Sequence, residues 1–465
     1  MNTNNEKKSQ NQLLSLLRKK GIGKTMGKHL SEDECNLFLS LIDDESVSLT
    51  TIATLCIAFV MLPSTDIEHL YKEKLKQKLD EFFPALSLLL FVFSNNQSIK
   101  NGNCNIDGVE FSEKMVGFLA LIQQLIKYEN LSDDEMSLGM TLVLNTDIES
   151  WAKAMFLEGL RLKRETKEEN IAGLHTFFSF SKYEKLSVPV VIDIANAYDG
   201  FTRTPNYSLF SATILGAMGI SCIVHGSFDV SPKYGVTAHK ILIDAKKNPL
   251  LTMKKVKSFL EDPSVGWGYI DLDTFFPELA ALFELRKNML KRPLLATLEK
   301  CLLPFRAKQT VFVTGYTHPP YKEMMANILD SVDCLSGYTV FRGVEGAAQL
   351  ALDRKAPYIL DNRKEGFVRP EDYLKEEHIS LIGNNSKKEM SHEGLSISEM
   401  CCYSLTQGLA ALSGEKNEAR LIIEYQVSSI LDLNGLMERS RISKCIEDVI
   451  SSGKALGHWN RGQHQ

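Results

Sequence analysis

The apolar periodicity of this 465-residue chain changes once, near Tyr183, and that change limits its possible folds more than any other feature. Before it, LLSLLRKK, DECNLFLSLI, TIATLCIAFVML and IEHLYKEKLKQKLDEFF place apolar residues at i, i+3 and i+4, the spacing that lines one face of a helix. Pro63, Pro84 and the Asn- and Gly-rich stretch 95–103 separate these segments. After it, the β-branched runs VPVVIDIA (188–195), SCIVHG (221–226), TVFVTGYTH (310–318) and YTVFRG (338–343) alternate with helical patterns such as Leu209–Met218 and Tyr321–Leu329. Strand–helix alternation predicts a mainly parallel sheet covered by helices. From Ser396 to Gly457 the pattern is helical again. The expected architecture is an all-helical N-terminal region followed by an α/β domain.

The helical region repeats itself. LSEDEC (30–35) returns as LSDDEM (131–136), and without gaps the same offset pairs Leu37 with Leu138, Ile42 with Val143, Ala53 with Ala154 and Thr65 with Thr166. Each copy opens with a serine suited to cap a helix and acidic residues suited to its positive end. The expected domains are an extra helical module over 1–104, a second helical module over 105–180 and an α/β domain over 181–465.

Composition excludes several classes. Glycine and proline contents of 29 and 14 are ordinary, so collagenous and low-complexity chains are out. Nine cysteines without CxxC spacing suggest neither a disulfide framework nor a zinc site. The apolar stretches Ile52–Leu62 and Ala85–Phe93 are far shorter than the roughly 20 residues of a membrane span. A polar opening with no signal-peptide pattern predicts a cytoplasmic protein with no membrane partner.

In open α/β sheets, ligands bind at the loops after the strand carboxyl ends. Here those loops read Asn196-Ala197-Tyr198-Asp199-Gly200 with TRTPNYS, His225-Gly226 with SPKYG, GYTHPPY (315–321) and RGVEG (342–346). Turn-prone loops with Asn, Ser and one Lys suit a phosphate, held by backbone N–H groups, hydroxyls and an ammonium. Residues 231–257 carry seven lysines against Asp244, and 286–308 carry seven lysines and arginines against Glu299. On a chain of net charge −5, two such islands point to a polyanionic ligand.

LSDDEM…LRLKRETKEENIAGL resembles the N-terminal helical module of anthranilate phosphoribosyltransferase, a glycosyltransferase of family 3. VVIDIANAYDG…PNYS, IVHG…SPKYG and LSGEKNEAR…SSGKAL resemble successive parts of its α/β domain, so the likeness runs from about residue 105 to 456. GKTMGKHLS (23–31), TRTPN, VTAHKIL, GYTHPPY and FRGVEG are similar to a sister branch, the YbiB-type proteins, which are nucleic-acid-binding homodimers. The resemblance implies a nucleoside phosphorylase/phosphoribosyltransferase-like fold and transfer of phosphoribose from phosphoribosyl pyrophosphate to an aromatic amine, as in tryptophan biosynthesis. It places the donor on Asp199, Gly200, Asn206, Ser208 and Lys233, and the acceptor against His225 and Arg292. It implies Mg2+, with Ser208 among the ligands. It also implies a homodimer through the helical module, an interface that the extra module would either cover within one chain or extend.

This chain departs from that pattern at two places. Where the family has glycines and threonine, Ala195-Asn196-Ala197-Tyr198 stand, and side chains there block close backbone approach to a ligand. The family's magnesium-binding Asp-Glu pair falls on Ala348 and Gln349, which leaves Glu345 and Asp353 as substitute ligands. A catalytically degenerate protein that binds nucleic acid across a basic groove is the alternative. GIGKT (21–25) is not a phosphate loop, because the required first glycine is Arg18. His175, His239 and His318 lack metal-ligand spacing, and Cys401-Cys402 fits a helix core.

Overall fold

The computed structural model describes residues 2–21, 27–92, 104–106, 108–375, 392 and 394–464. GIGKT after Gly21, the first four residues of GKTMGKHLS and the whole break at 95–103 lie outside the described residues. The chain divides into two compact units, one of Met1–Phe177 with Ala281–Leu295 and one of Phe178–Ala280 with Ala296–Gln465.

The first unit holds α1 (Asn2–Lys20), α2 (Glu32–Ser40), α3 (Leu49–Met61), α4 (Asp66–Phe82), α5 (Glu113–Ile126), α6 (Asp133–Leu144), α7 (Ser150–Lys163) and α8 (Lys167–Phe180). Two-residue strands Asn105–Ile106 and Val109–Glu110 pair antiparallel, a small exception to the all-helical expectation. The starts of α2, α3 and α4 reappear 101 residues later as the starts of α6, α7 and α8. Their caps match. Ser31 with Glu34 and Ser132 with Glu135 form capping boxes, each pair satisfying two N–H groups at a helix end.

The correspondence continues into buried charge. Glu68 accepts from the Leu30 N–H at 2.9 Å, the Thr65 N–H at 3.0 Å and Lys20 Nζ at 2.7 Å. Glu169, 101 positions on, accepts from the Leu131 N–H at 2.9 Å, the Thr166 N–H at 2.7 Å and Lys163 Nζ at 2.8 Å. Both carboxylates are fully buried. Burial alone raises the Glu68 carboxyl, but Lys20 and the Leu30 and Thr65 N–H groups outweigh it and hold the carboxyl at about 2. Helices α3 and α7, the most fully buried of this unit, pack on each other. A helix buried all round needs no polar face, which is why TIATLCIAFVM carries no charge.

The helix Phe283–Met289 belongs to this unit, and Thr51 on α3 donates to the Asn288 carbonyl at 2.9 Å. Residues 281–295, inside the α/β domain expected over 181–465, thus group by contact with the helical unit. Leu285 and Met289 are buried, and the helix packs on α3 and α7.

The second unit is built on β1 (Val190–Ala195), β2 (Ser221–Gly226), β3 (Trp267–Asp271), β4 (Gln309–Tyr316), β5 (Gly337–Arg342), β6 (Ala356–Leu360) and β7 (Glu365–Val368). They form one seven-stranded sheet in the order β7-β6-β5-β4-β1-β2-β3. Strands β5, β4, β1, β2 and β3 run parallel, and β6 and β7 close one edge as an antiparallel hairpin. The mixed α/β fold with a mainly parallel sheet is as the sequence implied. Helices α9 (Ser208–Ala217), α10 (Ala238–Asp244), α11 (Met253–Glu261), α12 (Pro320–Leu329), α13 (Ile397–Leu412), α14 (Glu418–Leu433), α15 (Arg439–Ser451) and α16 (Lys454–Arg461) complete the unit. Among the described residues no helix is long and apolar enough to cross a membrane.

Candidate functional site

Three loops leave the carboxyl ends of the parallel strands: 196–207 after β1, 227–237 after β2 and 343–349 after β5. The first two lie backbone against backbone. Gly200 has φ 76°, and a Cβ there would come within 2.7 Å of the Gly235 carbonyl carbon, so only glycine fits. Phe201 and Val236 form an isolated antiparallel bridge beside it. This junction brings Lys233 Nζ to 3.2 Å from the Gly200 carbonyl.

Donors converge just beyond it, and their acceptor is Glu345. Its carboxylate accepts from the Thr202 N–H at 3.0 Å, the Arg203 N–H at 2.8 Å, Thr202 Oγ1 at 3.1 Å, Thr204 Oγ1 at 3.3 Å and Lys233 Nζ at 2.7 Å. Consecutive backbone N–H groups, two hydroxyls and an ammonium make an oxyanion cradle. Burial raises the Glu345 carboxyl, but the Lys233 ammonium and the Arg203 and Thr202 N–H groups prevail and hold it below the usual carboxylate range. Glu345 itself has left-handed backbone, φ 52° and ψ 20°.

Two further side chains tie the 343–349 turn to the first loop. Asn196 accepts from the Ala348 N–H at 3.0 Å. Gln349 accepts from the Tyr207 N–H at 2.8 Å and donates to the Pro205 carbonyl at 2.9 Å. Asn206 Oδ1 in turn accepts from the Ser208 N–H at 3.0 Å and Ser208 Oγ at 2.7 Å, where α9 begins. Gln349→Ala leaves a buried N–H and carbonyl without partners, and urea unfolding should show a loss of about 1–3 kcal/mol.

Behind the cradle, Tyr198 OH and His225 Nδ1 are 2.5 Å apart, and His225 Nε2 lies 3.0 Å from Asp193 Oδ1 without hydrogen-bond alignment. All three are buried. Burial, with Glu299, Asp193 and Asp271 nearby, pushes the Tyr198 phenol well above its ordinary value. The pocket lined by Asn196, Tyr198, Asn206, His225 and Thr237 has a volume of about 20 Å3. That is room for about one water, whereas drug-sized ligands occupy pockets of roughly 300–1,000 Å3.

No protein-family model matches the chain. Curated relatives do. An anthranilate phosphoribosyltransferase of Delftia acidovorans is 24% identical over 352 residues, 73% of this chain and 94% of the relative. One from Cupriavidus necator is 25% identical over 288 residues, covering 59% and 81%. The chain is similar in sequence to the anthranilate phosphoribosyltransferases. An uncharacterized protein of Aquifex aeolicus is 28% identical over 231 residues, 49% of this chain and 67% of its own. The fold agrees with solved anthranilate phosphoribosyltransferases. The Thermus thermophilus structure has a TM-score of 0.59 at 18% identity, covering 73% of this chain and 97% of that one. The Saccharomyces cerevisiae structure, in complex with PRPP and Mg, has a TM-score of 0.59 at 17% identity, covering 74% and 96%.

Against that similarity, the expected site residues separate. Asp199, Gly200, Asn206, Ser208, His225 and Lys233 all stand on the loops, strand end and helix start just described. Arg292 is exposed in the segment assigned to the helical unit. Of the expected metal ligands, Ser208 Oγ donates to Asn206, both Glu345 oxygens accept from donors, and Asp353 is exposed in a turn. Among the described residues no group of three or more His, Cys, Asp or Glu could hold a metal. Magnesium does not fit at Ala348 and Gln349 either, since neither is a carboxylate and the Gln349 amide is engaged by Tyr207 and Pro205.

The basic islands are also weaker than their composition suggests. The second is divided between the two units, with Arg286 and Lys300 buried. In the first, Lys233, Lys240 and Lys257 are paired with acids, and burial lowers Lys247 to about 8. Sequence reasoning missed Thr202 and Thr204 as cradle hydroxyls and Tyr198 as the partner of His225. The TRT of TRTPN was the visible signal for the hydroxyls.

Proposed function

We propose that this chain is a phosphoribosyltransferase-type protein that holds the diphosphate of phosphoribosyl pyrophosphate on the Thr202–Thr204/Lys233 cradle, with an aromatic amine as acceptor. The observation that carries this reading is the cradle itself, five donor groups converging at the carboxyl ends of parallel strands. In such a transfer the bond from the anomeric carbon to diphosphate breaks, the amine nitrogen bonds to that carbon, and the amine proton leaves to solvent. The chain's contribution is fixed positive potential: Lys233 and the two N–H groups face the leaving oxygens and need no reorganisation as charge develops there. Release of inorganic pyrophosphate from phosphoribosyl pyrophosphate, measured across anthranilate and other aromatic amines, tests the reading. Turnover with one acceptor, reduced at least 100-fold by Lys233→Ala, is expected; absence of release with every acceptor contradicts it.

The small pocket and the missing carboxylate pair favour a second reading, a non-catalytic relative that binds nucleic acid. Its affinity would fall steeply as salt rises, because each neutralised phosphate releases counterions. Salt-insensitive or absent binding of single- and double-stranded DNA contradicts it.

A further inference from the structure

We infer that Glu345 is a built-in occupant of the anion cradle, so that a phosphate-bearing ligand binds only when the 343–349 turn gives up its carboxylate. The inference rests on the proposed donor site and goes beyond it, because it concerns what already fills that site.

Four observations support it. Five donor groups surround two oxygens, more than the roughly four lone-pair sites of a carboxylate satisfy and well suited to the three terminal oxygens of a phosphoryl group. The donors all come from residues 202–204 and 233, and the acceptor from a turn at least 112 residues further along the chain. The cradle therefore does not depend on Glu345 for its connectivity: Gly200, Gly235 and the Phe201–Val236 bridge hold it. Glu345 reaches it from a left-handed conformation that costs a non-glycine residue on the order of 1–3 kcal/mol, and such strain persists only where the surroundings impose it. The same turn is fastened at Asn196 and Gln349, so the carboxylate is presented at high effective concentration.

A free anion must compete with that tethered carboxylate. Removing the carboxylate leaves the two N–H groups without their acceptor and Lys233 with the Gly200 carbonyl, and a soluble oxyanion is the chemistry that replaces it. Glu345→Gly also suits the left-handed backbone, and Glu345→Gln keeps the side-chain volume while deleting the charge.

The test is calorimetric titration of inorganic pyrophosphate, and separately of phosphoribosyl pyrophosphate, at constant ionic strength, into the full chain as wild type, Glu345→Gly, Glu345→Gln and Glu345→Gly/Lys233→Ala. Pyrophosphate should bind Glu345→Gly at least tenfold more tightly than wild type, bind Glu345→Gln severalfold more tightly, and lose the gain in the double variant. Thermal melts without ligand should be lower for Glu345→Gly than for wild type and should recover with phosphate. Equal affinities in wild type and both single variants overturn the inference while leaving the donor site standing. No binding by any folded variant overturns both. Tight pyrophosphate binding by Glu345→Gly with none of phosphoribosyl pyrophosphate supports the inference and contradicts the proposed donor.

Discussion

Replacing Glu68 by alanine should destabilise the helical unit by about 3–5 kcal/mol, because the change strips the partner from a buried ammonium. Lys20 is 2% exposed, and its remaining partner is the Pro63 carbonyl at 2.9 Å. The Leu30 and Thr65 N–H groups lose their acceptor as well. Replacing both ends of the pair with apolar side chains, Lys20→Met with Glu68→Leu, should cost less than Glu68→Ala alone, since no uncompensated charge remains. Hydrogen exchange of the α2–α4 amides reads the effect locally, and equal protection in Glu68→Ala and wild type contradicts it. The depressed carboxyl also sets a pH dependence. A carboxyl held at about 2 in the folded state contributes stability that is fully present above its unfolded value near 4.5 and is lost as pH falls through about 2.

Gly315→Ala is the second large effect. A Cβ at this strand end would stand 1.7 Å from the Ala347 carbonyl oxygen, and Gly343 meets the same oxygen at the same distance. Backbone cannot yield as a flexible side chain would, so the turn that carries Glu345 must move. The expected loss is about 3 kcal/mol or more in urea unfolding, at the upper end for overpacking. Displacement of that turn also loosens the carboxylate from the cradle, and pyrophosphate affinity should rise in parallel. A Gly315→Ala protein as stable as wild type contradicts the close approach on which this argument rests.

The parts of the fold legible in the sequence are those in which local pattern and burial agree. SCIVHG is buried at all six positions and reads as a strand with its observed ends. WGYID is equally buried but mixes glycine, tyrosine and aspartate, so no apolar run announces it. The β6–β7 hairpin was missed because GFV of β7 is bracketed by charge and largely open to solvent. The Leu-Ser-acidic repeat showed where helices start, whereas Glu68 and Glu169 lie three residues past the matched threonines and take meaning only from N–H groups that folding brings to them. At the site, sequence located the loops but not their use. Glu345 read as a spare metal ligand because carboxylates suit hard cations, yet its partners at Thr202 and Arg203 lie 143 and 142 residues away in the chain. No local pattern encodes such a meeting.

The most direct measurement is a crystal structure of Glu345→Gly grown with inorganic pyrophosphate. An anion bound to the Thr202 and Arg203 N–H groups and to Lys233 Nζ is the result expected if these loops form an oxyanion site that Glu345 normally fills. A cradle holding only water, with pyrophosphate elsewhere or absent, contradicts it.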